Sequence, residues 1–107
     1  MTKALEPTNA MRKLLRERDV FDYPPHPCCV ICHKGESEYN RLEVAHYRSR
    51  GRGGLANEYN LVLLCRKCHE KTDQSGHRKD MLRQIREYLM NIYPDWNEED
   101  IVYRKGL

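Results

Sequence analysis

Two Cys-x-x-Cys pairs constrain this chain more than any other feature. Cys29 and Cys32 form the first pair, and Cys65 and Cys68 form the second, with a long insert between them. Four thiolates in two such pairs make the tetrahedral sulfur cage that zinc prefers. The fifth cysteine, Cys28, is adjacent to Cys29 and falls outside this spacing. The sequence therefore predicts a structural Zn²⁺ site that joins both ends of the central segment.

A metal of this kind suits the size and composition of the chain. The chain has 107 residues, of which 39% are hydrophobic and 33% are charged. A single domain of this size buries a small core, so a bound metal that cross-links the chain would add needed stability. The first ten residues lack the apolar core of a secretory signal, and no apolar run is long enough to cross a membrane. We therefore expect a cytoplasmic protein without membrane association, in which disulfides are disfavoured. A redox role for the cysteines is disfavoured because no βαβ pattern surrounds them.

Hydrophobic periodicity places a hairpin and a helix between and after the cysteine pairs. Residues 40–47 alternate like a strand, and LVLL at 61–64 indicates a second strand that pairs with the first. A helix is expected to start near Cys65 to Cys68 and to pass through His69. The sequence thus predicts an α+β fold with a small ββα core.

Helices are predicted on both sides of this core. An N-terminal helix follows Thr8 or Asn9, and a C-terminal helix runs from about Arg78 to Tyr93, where Pro94 ends it. The proline cluster at 23–27 marks the first boundary. We expect three parts: an N-terminal helical extension at 1–25, a zinc-stapled core at 26–77, and a C-terminal helix with an acidic tail at 78–107. We expect the acidic stretch at 95–100 to face away from any polyanionic partner or to dock elsewhere through Trp96.

Three residues in the fixed order His, Asn, His lie between and beside the cysteines. His46 ends the first predicted strand, Asn60 precedes the second, and His69 lies on the following helix. With AHY at 45–47, RGRGG at 50–54, NLVLLCRKCH at 60–69 and the flanking cysteines, residues 29–73 resemble the HNH endonuclease family, whose ββα-metal motif is often bracketed by a zinc ribbon. Any one of these letters alone would be a weak signal.

The resemblance implies a metal-dependent DNA endonuclease and a role for each matching residue. His46 matches the general base that takes a proton from water. Asn60 matches the residue that braces the loop and orients that base, with Asn57 as its rival. His69 matches a ligand of a catalytic divalent cation, Mg²⁺ or Mn²⁺. The family also implies hydrolysis of phosphodiester bonds to 5′-phosphate and 3′-hydroxyl ends.

The chain departs from the family pattern at Ala45, where many members carry an aspartate or histidine as a metal ligand. Asp73 is the first candidate to replace that ligand, because on a continuing helix it would share a face with His69. Glu43, on the same strand face as Ala45, is a second candidate, and His77 is a weaker one. A catalytically weak or inactive zinc-ribbon nucleic-acid-binding module therefore remains the alternative function.

An arginine-rich loop between the predicted strands provides the expected DNA contacts. The net charge is only +3, so a nucleic-acid partner must be met by a local patch. Because phosphate contacts carry no sequence information, we expect low specificity for double-stranded DNA. One catalytic motif in each chain predicts nicking by a monomer or weak dimer. The resemblance implies a setting among phage or bacterial DNA-processing proteins. The predicted DNA-binding residues are Arg48, Arg50, Arg52, Arg66 and Lys67.

Overall fold

The computed structural model describes residues 7–21 and 25–102, so residues 1–6, 22–24 and 103–107 of the predicted N-terminal extension, proline boundary and acidic tail lie outside it. The α+β fold class is confirmed. No helix in these two ranges is long and apolar enough to cross a membrane. The elements are α1 (Asn9–Arg18), β1 (Leu42–His46), a 3₁₀ turn (Arg50–Arg52), β2 (Leu61–Cys65), α2 (Arg66–Lys71), α3 (Arg78–Ile92) and a second 3₁₀ turn (Glu98–Ile101).

β1 and β2 form an antiparallel hairpin whose register separates the two predicted sites. Leu42 pairs with Cys65 at one end, and His46 pairs with Leu61 at the other. Since Asn60 directly precedes Leu61, the hairpin brings Asn60 beside the end of β1. The cysteine pair that opens α2 therefore starts from the opposite end of the hairpin to His46.

The hairpin is covered on both faces because its side chains alternate. Val44 packs with the cluster formed by Leu15 of α1 and Leu61 and Leu63 of β2. Ala45, on the other face, lies in the cluster that contains the α3 residues. Those α3 residues are the buried Met81, Ile85 and Leu89, at the helical spacing that the sequence predicts.

α1 is fastened to the hairpin by buried polar contacts as well as by Leu15. Thr8 caps the helix, its Oγ1 accepting a hydrogen bond from Met11 N at 3.1 Å. Beyond the helix, the fully buried Asp19 accepts hydrogen bonds from Leu63 N at 2.9 Å and from the Tyr88 hydroxyl at 2.6 Å. Arg18 completes this network with an Nε to Asp19 distance of 2.7 Å. The network holds α1, β2 and α3 together.

The segment after α3 docks against the loop between the strands. Trp96 Nε1 donates to the Tyr59 carbonyl at 2.6 Å, and its ring meets Tyr47 edge-on at 5.6 Å. The buried Ile101 accepts a backbone hydrogen bond from Leu55 at 2.8 Å. Of the two interpretations of the tail, docking through Trp96 is the one observed.

Candidate metal centre and active site

The four predicted zinc ligands converge on one point. The sulfur atoms of Cys29, Cys32, Cys65 and Cys68 all lie within 4.8 Å of one another, and the Cys32 and Cys65 sulfurs are 3.7 Å apart. A tetrahedral zinc with bonds of about 2.3 Å separates its sulfurs by about 3.8 Å. The donor set therefore fits a structural Zn²⁺. Among the residues that the structure describes, this is the only such group of three or more histidine, cysteine or acidic side chains.

Backbone hydrogen bonds shape the first pair and fasten it to the hairpin. Cys29 N donates to Lys34 O and His33 N donates to Cys29 O, both at 2.9 Å, while Val30 N donates to Leu63 O at 3.0 Å. Burial raises the pKa of the Cys29 and Cys68 thiols, so a cation is needed to hold both as thiolates at neutral pH. The fully buried Cys28 stays outside the cluster, its Sγ donating to His26 O at 3.3 Å.

Asn60 braces the turn that follows His46. Its side chain is fully buried, and its Oδ1 accepts a hydrogen bond from Arg48 N at 2.7 Å. Its Nδ2 donates to Arg48 O at 3.1 Å and to Leu55 O at 2.8 Å. The rival Asn57 instead contacts Tyr59 N and Asp100 O near the surface. Asn60 is thus the asparagine whose side chain shapes the backbone next to His46.

His46 and His69 line the same cleft, whose volume is about 350 Å³. Val44, His46, Ser49 and Arg50 contribute from β1 and the following loop. The opposite wall comes from α2 and the residues after it, and further residues come from the flanking helices. These residues are His69, Thr72, Asp73, Pro7, Arg12, Arg78 and Leu82.

Glu43 holds His69 by one ring nitrogen. Glu43 Oε1 lies 2.8 Å from His69 Nδ1, and both side chains are 33% exposed. Glu43 does not line the cleft, although His69 does. A carboxylate on one imidazole nitrogen fixes the ring and leaves the other nitrogen for a metal or a phosphate. The structure therefore pairs Glu43 with His69.

This arrangement of hairpin, brace, paired histidines and cysteine cluster agrees with the comparison of the chain with known families. The model of the HNH endonuclease family matches residues 29–75. This central segment is an HNH domain. No curated protein and no solved structure matches the chain. The match extends from the first cysteine pair to the residues just after α2, so Arg12, Arg78 and Leu82 enter the cleft from outside the HNH domain.

The helix of the HNH domain ends earlier than the sequence predicts. α2 stops at Lys71, because the Thr72 hydroxyl donates to His69 O at 2.6 Å and the Thr72 and Asp73 amides close tight turns. The prediction that the helix continues through Asp73, and so places Asp73 on the same helix face as His69, is therefore wrong. Asp73 nevertheless lines the cleft, 81% exposed, with its Oδ1 4.0 Å from Arg78 Nη1.

Ala45 is only 2% exposed and packs in the core cluster of the HNH domain. Besides His46, the cleft is lined by two side chains with oxygen or nitrogen donors suited to a divalent cation, His69 and Asp73, while Glu43 contacts His69 from outside it. Mg²⁺ keeps several waters when few protein groups bind it. The donor set suits a weakly held cation.

The predicted DNA-binding residues fall into two groups. Arg50 lines the cleft, and Arg48 and Arg52 line a neighbouring depression, where Arg48 Nε donates to Arg52 O at 2.9 Å. Arg66 is instead paired with Glu43 at 3.2 Å and Glu70 at 3.8 Å, and Lys67 is exposed on α2. Of these five residues, only the loop arginines adjoin the cleft. Arg12 and Arg78 also line it, and sequence reasoning missed Arg78.

Proposed function

We propose that this protein is a metal-dependent DNA endonuclease that hydrolyses phosphodiester bonds. The observation that carries the proposal is the shared cleft of His46 and His69, with Asn60 bracing the turn between them and the arginines. Because Arg12, Arg50 and Arg78 line the same cleft, a polyanion entering it meets three guanidinium groups, which bind phosphate oxygens through forked donors.

His46 is proposed as the general base. Histidine exchanges a proton near neutral pH, and here the ring ends β1 at the cleft. It takes a proton from water as the water oxygen bonds to phosphorus and the bond from phosphorus to the 3′ oxygen breaks, and the departing 3′ oxygen takes a proton from a second water. The products are a 5′-phosphate and a 3′-hydroxyl. Asn60 keeps His46 in place by holding Arg48 two residues away.

His69 and Asp73 are the residues proposed to hold the divalent cation, with Glu43 orienting His69. A bound Mg²⁺ or Mn²⁺ would supply charge stabilisation for the phosphate and for the leaving oxygen. His69 Nδ1 faces Glu43, so the other nitrogen is the one available to the cation. Because few protein groups would bind the cation, its affinity is low, and we expect activity to require millimolar rather than micromolar divalent ion.

The finer features of the activity follow from the number and kind of contacts. One pair of cleft histidines in a chain cuts one strand at each engagement, so a monomer nicks duplex DNA. Arginines that approach phosphates give low sequence specificity. The setting we propose is DNA processing in bacteria or their phages.

A zinc-ribbon nucleic-acid-binding module with little or no activity is the second candidate. It is favoured by Ala45, which is buried and offers no donor where many HNH members have one. Such a module would bind duplex DNA equally well with and without added divalent ion.

Supercoiled plasmid separates the two candidates. Wild-type protein with a full zinc content is incubated with Mg²⁺ or Mn²⁺ and without added divalent ion, beside His46→Ala and His77→Ala. His77 is exposed and does not line the cleft, so it is the matched control. Open circles that need the divalent ion, persist in His77→Ala and vanish in His46→Ala support the endonuclease. Retention of DNA without any conversion supports the binding module.

A further inference from the structure

We propose that duplex DNA held at the His46 cleft continues over a basic strip along α3, where Lys79 and Arg86 contact backbone phosphates. The inference rests on the proposed function, because it takes DNA as the occupant. It adds the direction in which the DNA leaves the cleft and names contacts outside the HNH domain.

Three depressions join to form this strip. The cleft opens into a smaller depression of about 120 Å³, with which it shares Ser49, Arg78 and Leu82. That depression in turn shares Tyr47 and Leu82 with a third, of about 570 Å³, lined by α3. Because neighbouring depressions share lining residues, the three lie next to one another from His46 past the loop to α3.

The charge of the strip suits a polyanion. Eight lysines and arginines line the three depressions, against three carboxylates. Asp80 is held by Arg83 at 2.6 Å, and Arg83 also contacts Glu87 at 3.0 Å, so Arg83 is neutralised by its neighbours. Glu98 accepts a hydrogen bond from the Tyr47 hydroxyl at 3.1 Å. Arg86 also hydrogen-bonds the Tyr47 hydroxyl. Neither Lys79 nor Arg86 forms an ion pair with a carboxylate in the described part of the chain, so these two residues supply the positive charge of the third depression.

Lys79 and Arg86 also have the right spacing. They are seven residues apart in a continuous helix, so they lie on one face, with Arg83 between them. From Arg78 to Arg86 the helix rises about 12 Å, which matches three to four base pairs of duplex at 3.4 Å each. Tyr47 and Leu82 form an apolar floor beneath these cations. Two phosphate contacts beyond the cleft are therefore expected on the α3 side.

The test is the salt dependence of duplex binding by the Lys79→Gln/Arg86→Gln double variant. Binding to a fluorescent 25-base-pair duplex is measured by anisotropy without added divalent ion, from 50 to 300 mM salt, so that binding is separated from cleavage. Each phosphate contact contributes about 0.9 to the slope of log affinity against log salt. We expect the slope to fall by about 1.8 and the affinity at 0.1 M salt to fall roughly 10- to 60-fold.

The matched control removes two charges elsewhere. Lys34 is exposed after the first cysteine pair, and Arg41 lines a separate depression beside Glu36 and Glu38. Lys34→Gln/Arg41→Gln has the same net charge as the double variant, and we expect it to change the slope by less than about 0.5. Zinc content and melting temperature of both variants show that the fold is kept.

The outcomes separate this inference from the nuclease proposal. Equal slopes for the two double variants overturn the strip, even if the wild type cleaves plasmid. A lower slope for Lys79→Gln/Arg86→Gln alone supports the strip, even if no cleavage is seen under any divalent ion. Absence of any salt-dependent duplex binding by the wild type overturns the strip and the DNA substrate together.

Discussion

Asn60 holds both backbone groups of Arg48: its Oδ1 accepts from Arg48 N at 2.7 Å, and its Nδ2 donates to Arg48 O at 3.1 Å. A single buried side chain thus replaces two hydrogen bonds that the strand ladder no longer supplies beyond the Tyr47 N to Asn60 O bond. This relationship fixes the backbone between the proposed general base and the arginine loop.

Asn60→Ala should therefore damage both stability and activity. It leaves buried backbone groups without partners, which costs about 2–4 kcal/mol of unfolding free energy and lowers the melting temperature by about 10 °C or more. Asn57→Ala is the control, because its side chain is only half-buried and makes two hydrogen bonds, and it should cost less than about 1 kcal/mol. Thermal unfolding and plasmid nicking measure the difference. Equal losses in the two variants would argue against the brace.

Gly54 is the second element of this turn. A Cβ at Gly54 would lie 1.7 Å from the Arg48 carbonyl oxygen, whereas one at Gly51 would meet nothing within 4 Å. We expect Gly54→Ala to disrupt the turn, with a loss of more than about 2 kcal/mol, and Gly51→Ala to stay within about 1 kcal/mol of wild type. Chemical denaturation of the two variants checks this. A well-folded, fully active Gly54→Ala protein contradicts the close approach.

Serine substitutions should show that four of the five cysteines bind zinc and that the fifth does not. Each of Cys29, Cys32, Cys65 and Cys68 contributes a sulfur to the cluster, so each Ser variant should lose zinc and its cooperative unfolding transition. Cys28→Ser should keep one zinc per chain, because its Sγ only donates to His26 O. The zinc content of each variant is measured by mass spectrometry. Loss of zinc from Cys28→Ser would show that Cys28 is a zinc ligand.

Glu43 should act as a positioning residue for His69. We expect Glu43→Ala to lower nicking activity about 10- to 100-fold and to raise the Mg²⁺ concentration needed for half-maximal activity. Glu43→Gln should recover part of the loss, since its carbonyl oxygen still accepts from His69 Nδ1. Glu70→Ala is the control, because Glu70 shares Arg66 with Glu43 but does not contact His69. A purely structural role predicts an unchanged Mg²⁺ requirement.

Arg12 should bind substrate from the N-terminal helix. Arg12 lines the cleft and Lys13, the next residue on α1, does not, so the pair offers equal charge changes at neighbouring positions. Loss of one guanidinium contact to phosphate should make Arg12→Gln about tenfold slower in nicking, and Lys13→Gln less than about twofold slower. Initial rates at several plasmid concentrations measure this. Equal nicking rates for the two variants would show that Arg12 does not bind the substrate and that α1 is not part of the active site.

Local patterns in the sequence determined most of the fold. The alternation at 40–47 and the run at 61–64 predict β1 and β2, and the helical spacing from 78 to 93 predicts α3, because periodicity reflects which side chains a single element must bury. The cysteine spacing likewise predicts the cluster of four sulfurs, since each pair forms its own tight turn and one ion can join two such turns.

Tertiary packing alone decided how residues from different elements meet at the cleft. Glu43 pairs with His69 because α2 folds back along β1, and Arg12 and Arg78 line the cleft because α1 and α3 pack around the hairpin. The early end of α2 at Lys71 depends on the hydroxyl of Thr72. Such convergences depend on the angles and separations between elements distant in the chain, and no periodicity within one element records them.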